Sequence, residues 1–559
     1  MLHALLLAAA AQVGIADELT PAFPDTAFAE AHPRSVEGQV RAHSTESLRG
    51  MRTALHVYVS AEDGENVTLV VRHLESRDTL GLRLARLHAV PVEENTGLTS
   101  RTEQFEGVEN PHVIRRAPFF VFDPIEPLIS TSGAGADQAT APGKQGGVAW
   151  RLEIVPEQAG DQHYQVTIVR GEATESLVWH LLVHDAQLPP RSEWGFAYTN
   201  WFSPQEIARR HGVEAWSAEF WPLLRRYAEL MADGGQDTFW LRWQDFFTQG
   251  AGGRWNLDHG RLERYVRTFL ASGFDWIEGA PIASRPEGDW SKDWLELRFG
   301  KVAATSEEGQ QVLRQVARQL RSAFRTNDWS RQWIQHIADE PTDVNAADYA
   351  KLAGILRKEL PGVPIVEATM TRALVGAVDI WCPQVHKYQQ NRAFFDERQA
   401  ASDQVWTYTC LVPGGPWLNR LLDQERLRPV YLGWAGAHFG TSGFLHWGLN
   451  HYKCEDPFAR SVVDHPAQPN TTNKLPAGDT HIVYPGPYGP WSSTRFEAHR
   501  IGLEDLAMLR MLQAEDPEAA ATLISQVFRG YDDWEPSVEA YRATRAQLMA
   551  ALAGRNSAQ

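Results

Sequence analysis

The chain has 559 residues, 43% of them hydrophobic, and sets 53 basic against 70 acidic side chains for a formal net charge of -17. That length calls for two or three domains, and the acidic balance excludes partners that reward positive charge, nucleic acid and anionic membrane surfaces first among them. Tryptophan is the compositional outlier at 21 residues, many with polar neighbours, such as Trp201, Trp243, Trp381, Trp406, Trp434 and Trp447. A flat apolar ring with a polar rim suits the C–H face of a sugar, and it also suits a large core.

Residues 1–16 open with Met1-Leu-His-Ala-Leu-Leu-Leu and a run of alanines, which reads as a secretory signal peptide cleaved after Ala16, although no Lys or Arg precedes it. A stretch this short cannot span a bilayer, so the expectation is a secreted or periplasmic protein. Residues 17–190 are short alternating runs such as Ala54–Ser60, Val67–Arg72, Tyr164–Val169 and Leu177–His184, broken by Gly, Asn, Asp and Pro. Period-two runs between turn signals predict an N-terminal β-sandwich accessory domain. The Gly- and Ala-rich residues 132–147 read as a mobile loop, and Leu188-Pro-Pro-Arg191 as a stiff exit.

From residue 191 to 475 the rhythm becomes strand, loop, helix. Strands are predicted at 194–199, 238–243, 274–278, 333–340, 364–367, 378–381, 404–408 and 443–447. A helix with Phe220, Leu223, Leu224, Tyr227 and Met231 on one face follows the first, and a helix with Val312, Val316, Leu320 and Phe324 precedes the fourth. Between them, residues 294–299 suggest an extra strand pair. Eight βα-like units without a Gly-rich phosphate fingerprint favour a (β/α)8 TIM-like barrel over an open doubly wound sheet. The fold class is therefore α/β multidomain. Residues 476–559 read as a barrel-closing segment followed by C-terminal helices.

The register places Tyr198, Asn200, Trp243, Asp245, Glu278, Asp339, Glu340, Glu367, Gln384, His386, Tyr408 and Asn450 at or just after strand C-termini, the end where barrels of this kind carry their chemistry, and Trp447 closes the eighth strand as a sugar platform or packing residue. Among them Trp243, Glu278, Gln384, His386, Trp447 and Asn450 are the candidate substrate contacts. The adjacent pair Asp339-Glu340, followed by Pro341, is the most pointed feature. Two carboxyls that close disfavour joint ionisation, so one keeps a proton at neutral pH, and an acid beside a carboxylate is what glycosidic cleavage needs.

An ordinary retaining glycosidase also needs a separate carboxylate nucleophile about 5 Å away. The seventh predicted strand offers Tyr408 at its tip and no carboxylate. Either Glu278 or Glu367 serves instead, on a sugar that lacks an acetamide, or the substrate brings its own nucleophile, the carbonyl oxygen of a 2-acetamido group. In the second case Asp339 accepts the acetamide N–H, Glu340 protonates the leaving oxygen, and Tyr408 donates to the acetamide carbonyl. A non-catalytic carbohydrate-binding protein is the remaining alternative. Cys382, Cys410 and Cys454 have neither disulfide nor zinc spacing, and the histidines lack metal spacing, so no metal or other cofactor is expected. The expected partner is a glycan or glycoconjugate substrate.

Four segments, His336–Pro341, Trp406-Thr-Tyr408, Gly443–Asn450, and Gly478–Gly486 with Arg495–Asp505, together resemble glycoside hydrolase family 123 and its relatives over roughly residues 190–515. The resemblance implies a retaining, exo-acting β-N-acetylgalactosaminidase with an N-terminal β-sandwich, working by substrate assistance. It puts Asp339 in the acetamide-orienting role and Glu340 in the acid/base role.

Overall fold

The computed structural model describes residues 13–30, 41–75, 82–99, 101–102, 110–129, 131–133, 136–466 and 472–556. The apolar start at residues 1–11 lies outside the described residues.

Two large sheets occupy the N-terminal part. The seven-stranded sheet runs Val13–Asp17, Thr53–Ser60, Gly147–Ile154, Arg83–Val92, Phe119–Pro127, then Gly489–Ser493 and Tyr484–Gly486 from the far end of the chain. The six-stranded sheet runs Arg41–Arg49, Ala173–Gln187, Gly160–Arg170, Asn66–His73, Ala136–Pro142 and Thr131–Gly133. Alternation makes both. In Asn66–His73, Val67, Leu69 and Val71 are buried while Thr68 and Val70 are partly exposed, the period of a strand with one covered face. The covered faces of both sheets supply one core that includes Leu55, Val57, Leu69, Trp150, Val166 and Trp179.

One expectation changes here. The 132–147 segment is largely strand, because Ala136–Pro142 pairs antiparallel with Asn66–His73 along its whole length. Val13–Asp17 pairs residue for residue with Leu55–Val59, from Asp17↔Leu55 through Val13↔Val59. Asp17 also holds Arg542, at 2.8 and 3.0 Å, tying the strand to the last helix.

The rest of the chain is mixed α/β. Its parallel strands are β1 (Ala197–Asn200), β2 (Thr238–Leu241), β3 (Trp276–Gly279), β4 (Trp333–Gln335), β5 (Val366–Ala368), β6 (Ile380–Cys382), β7 (Gln404–Thr409) and β8 (Gly443–His446). A five-stranded sheet has the order β1-β8-β7-β6-β5, and a three-stranded sheet the order β2-β3-β4, every ladder parallel. Backbone bonds join the two: Gln335 N–H to Pro364 O at 2.9 Å beside β5, and Asp237 N–H to Tyr198 O at 3.3 Å beside β1. The amphipathic faces read from sequence form the helices Phe220–Asp233 and Glu307–Asn327, with Leu224, Tyr227, Met231, Val316 and Leu320 buried. Residues Glu296–Leu297 pair with Ala283–Ser284, the expected extra strand pair.

The chain end is bound into this body by charge. Arg495 on the helix Thr494–Glu515 is fully buried and donates to Asp123 Oδ2 at 2.9 and 3.1 Å, to Gly478 O and to His481 O. Five donors in a planar fork suit a guanidinium for such a crossing point.

Candidate active site

Strand β4 stops at Gln335, four residues short of Asp339, so the acidic pair sits on the turn beyond the strand and not at its tip. In an extended strand, neighbouring side chains point to opposite faces. Glu340 escapes that alternation by taking the left-handed region at φ 49°, a conformation that costs a non-glycine residue of order 1–3 kcal/mol and persists only where its surroundings enforce it.

The enforcement comes from both sides of the turn. Below it, fully buried Glu367 accepts the backbone N–H of Ile337 at 2.9 Å and of Ala338 at 3.0 Å, along with the Tyr349 hydroxyl at 2.9 Å. Above it, Arg285 Nη1 donates to the carbonyl oxygens of Asp339 (3.0 Å) and Glu340 (2.8 Å). Ala283 pairs with Ala338 as an isolated parallel bridge, which aligns the two loops.

Under the turn, His336 lies between two buried carboxylates, with Nε2 2.7 Å from Glu278 and Nδ1 2.8 Å from Glu367. Burial alone would strip its proton, but the flanking Glu367 and Glu278 charges outweigh that and push the imidazole up to about 10. A charged His donates from both ring nitrogens, and this geometry uses both. Glu278 also accepts the Trp201 indole N–H at 2.8 Å and the Thr199 hydroxyl.

The dyad itself is half-buried. Glu340 Oε1 accepts the Tyr408 hydroxyl at 2.5 Å, while no hydrogen bond to the Asp339 carboxylate is found among the described residues. Burial, then the charges of Glu340 and Glu367, pushes Asp339 up to about 7. Burial also raises Glu340, against the downward pull of the Tyr408 hydroxyl and of Arg285. The two therefore share a proton near neutrality and titrate as a pair. In the free protein the Tyr408 bond favours charge on Glu340, leaving the proton to Asp339. A hydrogen-bond donor arriving at Asp339 would favour the reverse.

Several sequence-based assignments change. Glu278 and Glu367, expected as substrate contact or nucleophile, are fully buried and occupied by donors, so neither faces an incoming sugar. Trp243 is buried, and its N–H goes to Gln335 Oε1 at 3.0 Å, which also takes the Trp333 N–H at 2.9 Å. Asn450 is buried as well, its amide clamping both backbone groups of Ser203. Gln384 is buried next to Tyr408, with Cys410 Sγ 3.9 Å from its amide nitrogen. Half-buried His386 packs edge-on to Trp417, and its surroundings lower it to about 4. Trp447 keeps a partly open ring, its N–H held by Asp479 at 3.2 Å and its face stacked on His451. Of the other tryptophans singled out, Trp381, Trp406 and Trp434 are core residues.

Sequence reasoning missed Arg285, which carries no signal in a loop, and the structural roles of His336 and Glu367. The polar pair Gln335-His336 inside an otherwise apolar strand-like run was the available hint. A cavity of about 500 Å3 opens among Ala197, Trp276, Ile380 and Gln404, the first residues of their strands, away from the dyad. Among the described residues no group of three or more His, Cys, Asp or Glu side chains could hold a metal, and no helix is long and apolar enough to cross a membrane.

The model of the glycoside hydrolase 123 catalytic domain matches residues 201–512. Among solved structures, a family 123 glycoside hydrolase from Clostridium perfringens, studied for glycolipid glycan hydrolysis, overlays with a TM-score of 0.64 at 12% identity, covering 97% of each chain. Beta-glucuronidase 3 from Bacteroides uniformis overlaps at 9% identity and a TM-score of 0.30, over 83% of this chain and 51% of that one. An endo-beta-1,4-mannanase from Thermotoga petrophila gives 9% and 0.35, over 57% and 77%. No protein with a curated description matches the sequence.

Proposed function

The chain belongs to glycoside hydrolase family 123, and we propose that it is a retaining, exo-acting enzyme that releases terminal β-linked N-acetylgalactosamine by substrate assistance. One observation carries this reading. Asp339 and Glu340 form a half-buried pair with raised proton affinity, and the neighbouring carboxylates Glu278 and Glu367 are sealed beneath it. With no further carboxylate facing the site from those positions, the substrate's own acetamide oxygen is the fitting nucleophile.

In the first step that oxygen attacks C1 while Glu340 gives its proton to the departing glycosidic oxygen, and the C1–O bond breaks. Asp339 accepts the acetamide N–H and balances the positive charge of the oxazolinium ring. Water then attacks C1, losing its proton to Glu340, and ring opening returns the acetamide with the β configuration retained. Tyr408 holds Glu340 in place through its 2.5 Å bond, and Trp447 offers a ring face to the sugar.

The architecture that goes with this proposal is a (β/α)8 barrel over residues 191–475, whose two arcs are the five- and three-stranded parallel sheets. An N-terminal β-sandwich at 17–190 precedes it, and a closing segment at 476–559 follows. Export from the cytoplasm belongs to the same proposal.

The test is a panel of matched β-glycosides of N-acetylgalactosamine, N-acetylglucosamine, galactose and glucose. The acetamido sugars, N-acetylgalactosamine foremost, are expected to be cleaved, and Glu340→Gln is expected to lose turnover by about 100-fold or more while still binding substrate. Good turnover of the plain galactoside would sink the substrate-assisted mechanism.

A further inference from the structure

Trp290 is 49% exposed, yet it does not belong to a loose loop. Asp289 Oδ1 accepts the Ser291 backbone N–H at 2.9 Å and its hydroxyl at 2.8 Å, an Asx turn that fixes the backbone on either side of the ring. One face of the indole is covered by the Arg285 guanidinium, whose Cζ stands 3.7 Å from the ring centroid. The same guanidinium donates to the carbonyl oxygens of Asp339 and Glu340. The ring is therefore fastened through a single side chain to the backbone of the residues that do the chemistry.

A cation on one face of an indole is an attractive contact in its own right. Here it also links the plane, through one guanidinium, to the backbone of the Asp339–Glu340 turn while about half of the residue stays open to solvent. An apolar ring held in water and tied to the turn that carries the general acid has a use when something flat and partly apolar docks on it. The group that lies beside a glycosidase's acid during reaction is the leaving group, because the acid must reach the oxygen that joins it to the cleaved sugar.

We propose that Trp290 is the platform for the leaving-group sugar, the residue on the reducing side of the scissile bond, and that Arg285 seats this platform. The inference rests on Glu340 being the acid, as proposed above. Its ligand class is a neutral pyranose presenting a C–H face, the surface an indole ring recognises. Arg285 touches the dyad's backbone and not its carboxyls, and so acts as a positioning residue.

The experiment compares wild type, Trp290→Phe and Trp290→Ala on two substrates with the same cleaved sugar, a disaccharide and a methyl β-glycoside. The methyl group is too small to reach a neighbouring ring. The cleaved sugar is whichever of the four in the panel wild type turns over best, so failure of the N-acetylgalactosamine reading appears in the panel and failure of the platform appears in the variants. For Trp290→Ala, kcat/KM on the disaccharide is expected to fall about tenfold further than on the methyl glycoside, mostly through KM, and Trp290→Phe is expected to recover most of it. Equal losses on both substrates would make Trp290 a merely structural support, and no loss on the disaccharide would remove it from the site; either result overturns the proposal. Thermal unfolding of each variant separates a fold defect from a lost contact.

Discussion

Replacing His336 by Gln should expose how much of this active site is held up by one buried charge. His336, Glu278 and Glu367 are all fully buried, and the imidazole is 2.7 and 2.8 Å from the two carboxylates. Gln keeps some hydrogen-bonding capacity and removes the charge. Glu367 would retain Tyr349 and two backbone donors, and Glu278 would retain Thr199 and Trp201, but two carboxylates would then face each other across a neutral amide. Removing one partner of a buried ion pair destabilises by about 3–5 kcal/mol, which lowers Tm by roughly 5–10 °C in a unit of this size. The pH dependence identifies the cause. His336 is raised from 6.5 to about 10 in the folded protein, so its contribution is complete below pH 6.5 and is lost as pH climbs through about 10. The variant lacks it throughout. Calorimetry at pH 6.5, 8 and 10 should show the Tm gap widest at the lowest value and nearly closed at the highest. A gap that is absent at pH 6.5, or the same size at pH 10, would refute the buried-cation account.

The dyad's own proton should govern activity: with Asp339 pushed up to about 7, kcat/KM should fall as pH rises through about 7 and the pair loses its last proton, and a profile flat to pH 9 would contradict this. Tyr408→Phe deletes the bond that lowers Glu340; a hydrogen bond to a charged group is worth about 1.5–3 kcal/mol, so the acidic limb should move up by roughly 1–2 pH units while the alkaline limb stays. Glu367→Ala, and Glu278→Ala likewise, should lose activity without rescue by azide, and isolation of a glycosyl azide from either would make that residue a nucleophile.

The order and kind of elements were legible in the sequence because burial imposes a period. All eight predicted strands of residues 191–447 have a counterpart, and the helices Phe220–Asp233 and Glu307–Asn327 carry the buried faces their spacing requires. The loop at 132–147 was misjudged because Ala and Gly fit a strand as small residues when a neighbouring strand provides the hydrogen bonds, as Asn66–His73 does here. Asp339 and Glu340 were legible because adjacency of two acids is itself a local signal. Trp243, Glu278 and Asn450 were placed near the right end of the strands, but composition cannot say whether a polar group there looks outward to ligand or inward to a partner. That depends on residues far along the chain, Gln335, His336 and Ser203 respectively.

The same distance in sequence explains why Arg285 escaped notice and why Glu367 was read as a nucleophile and not as a support of the dyad. Arg285 comes from the loop after β3 and Glu367 from β5, and the turn they grip follows β4. Each supplies two bonds to backbone and none to the Asp339 or Glu340 carboxyls. Bonds of that kind fix where a residue sits without consuming its chemical capacity, so the left-handed Glu340 can be enforced while Asp339 keeps its carboxylate clear of protein donors. Had Arg285 bonded the carboxyls directly, it would have pulled their proton affinity down further and worked against a shared proton near neutral pH, whereas the Glu367 charge pushes that affinity up.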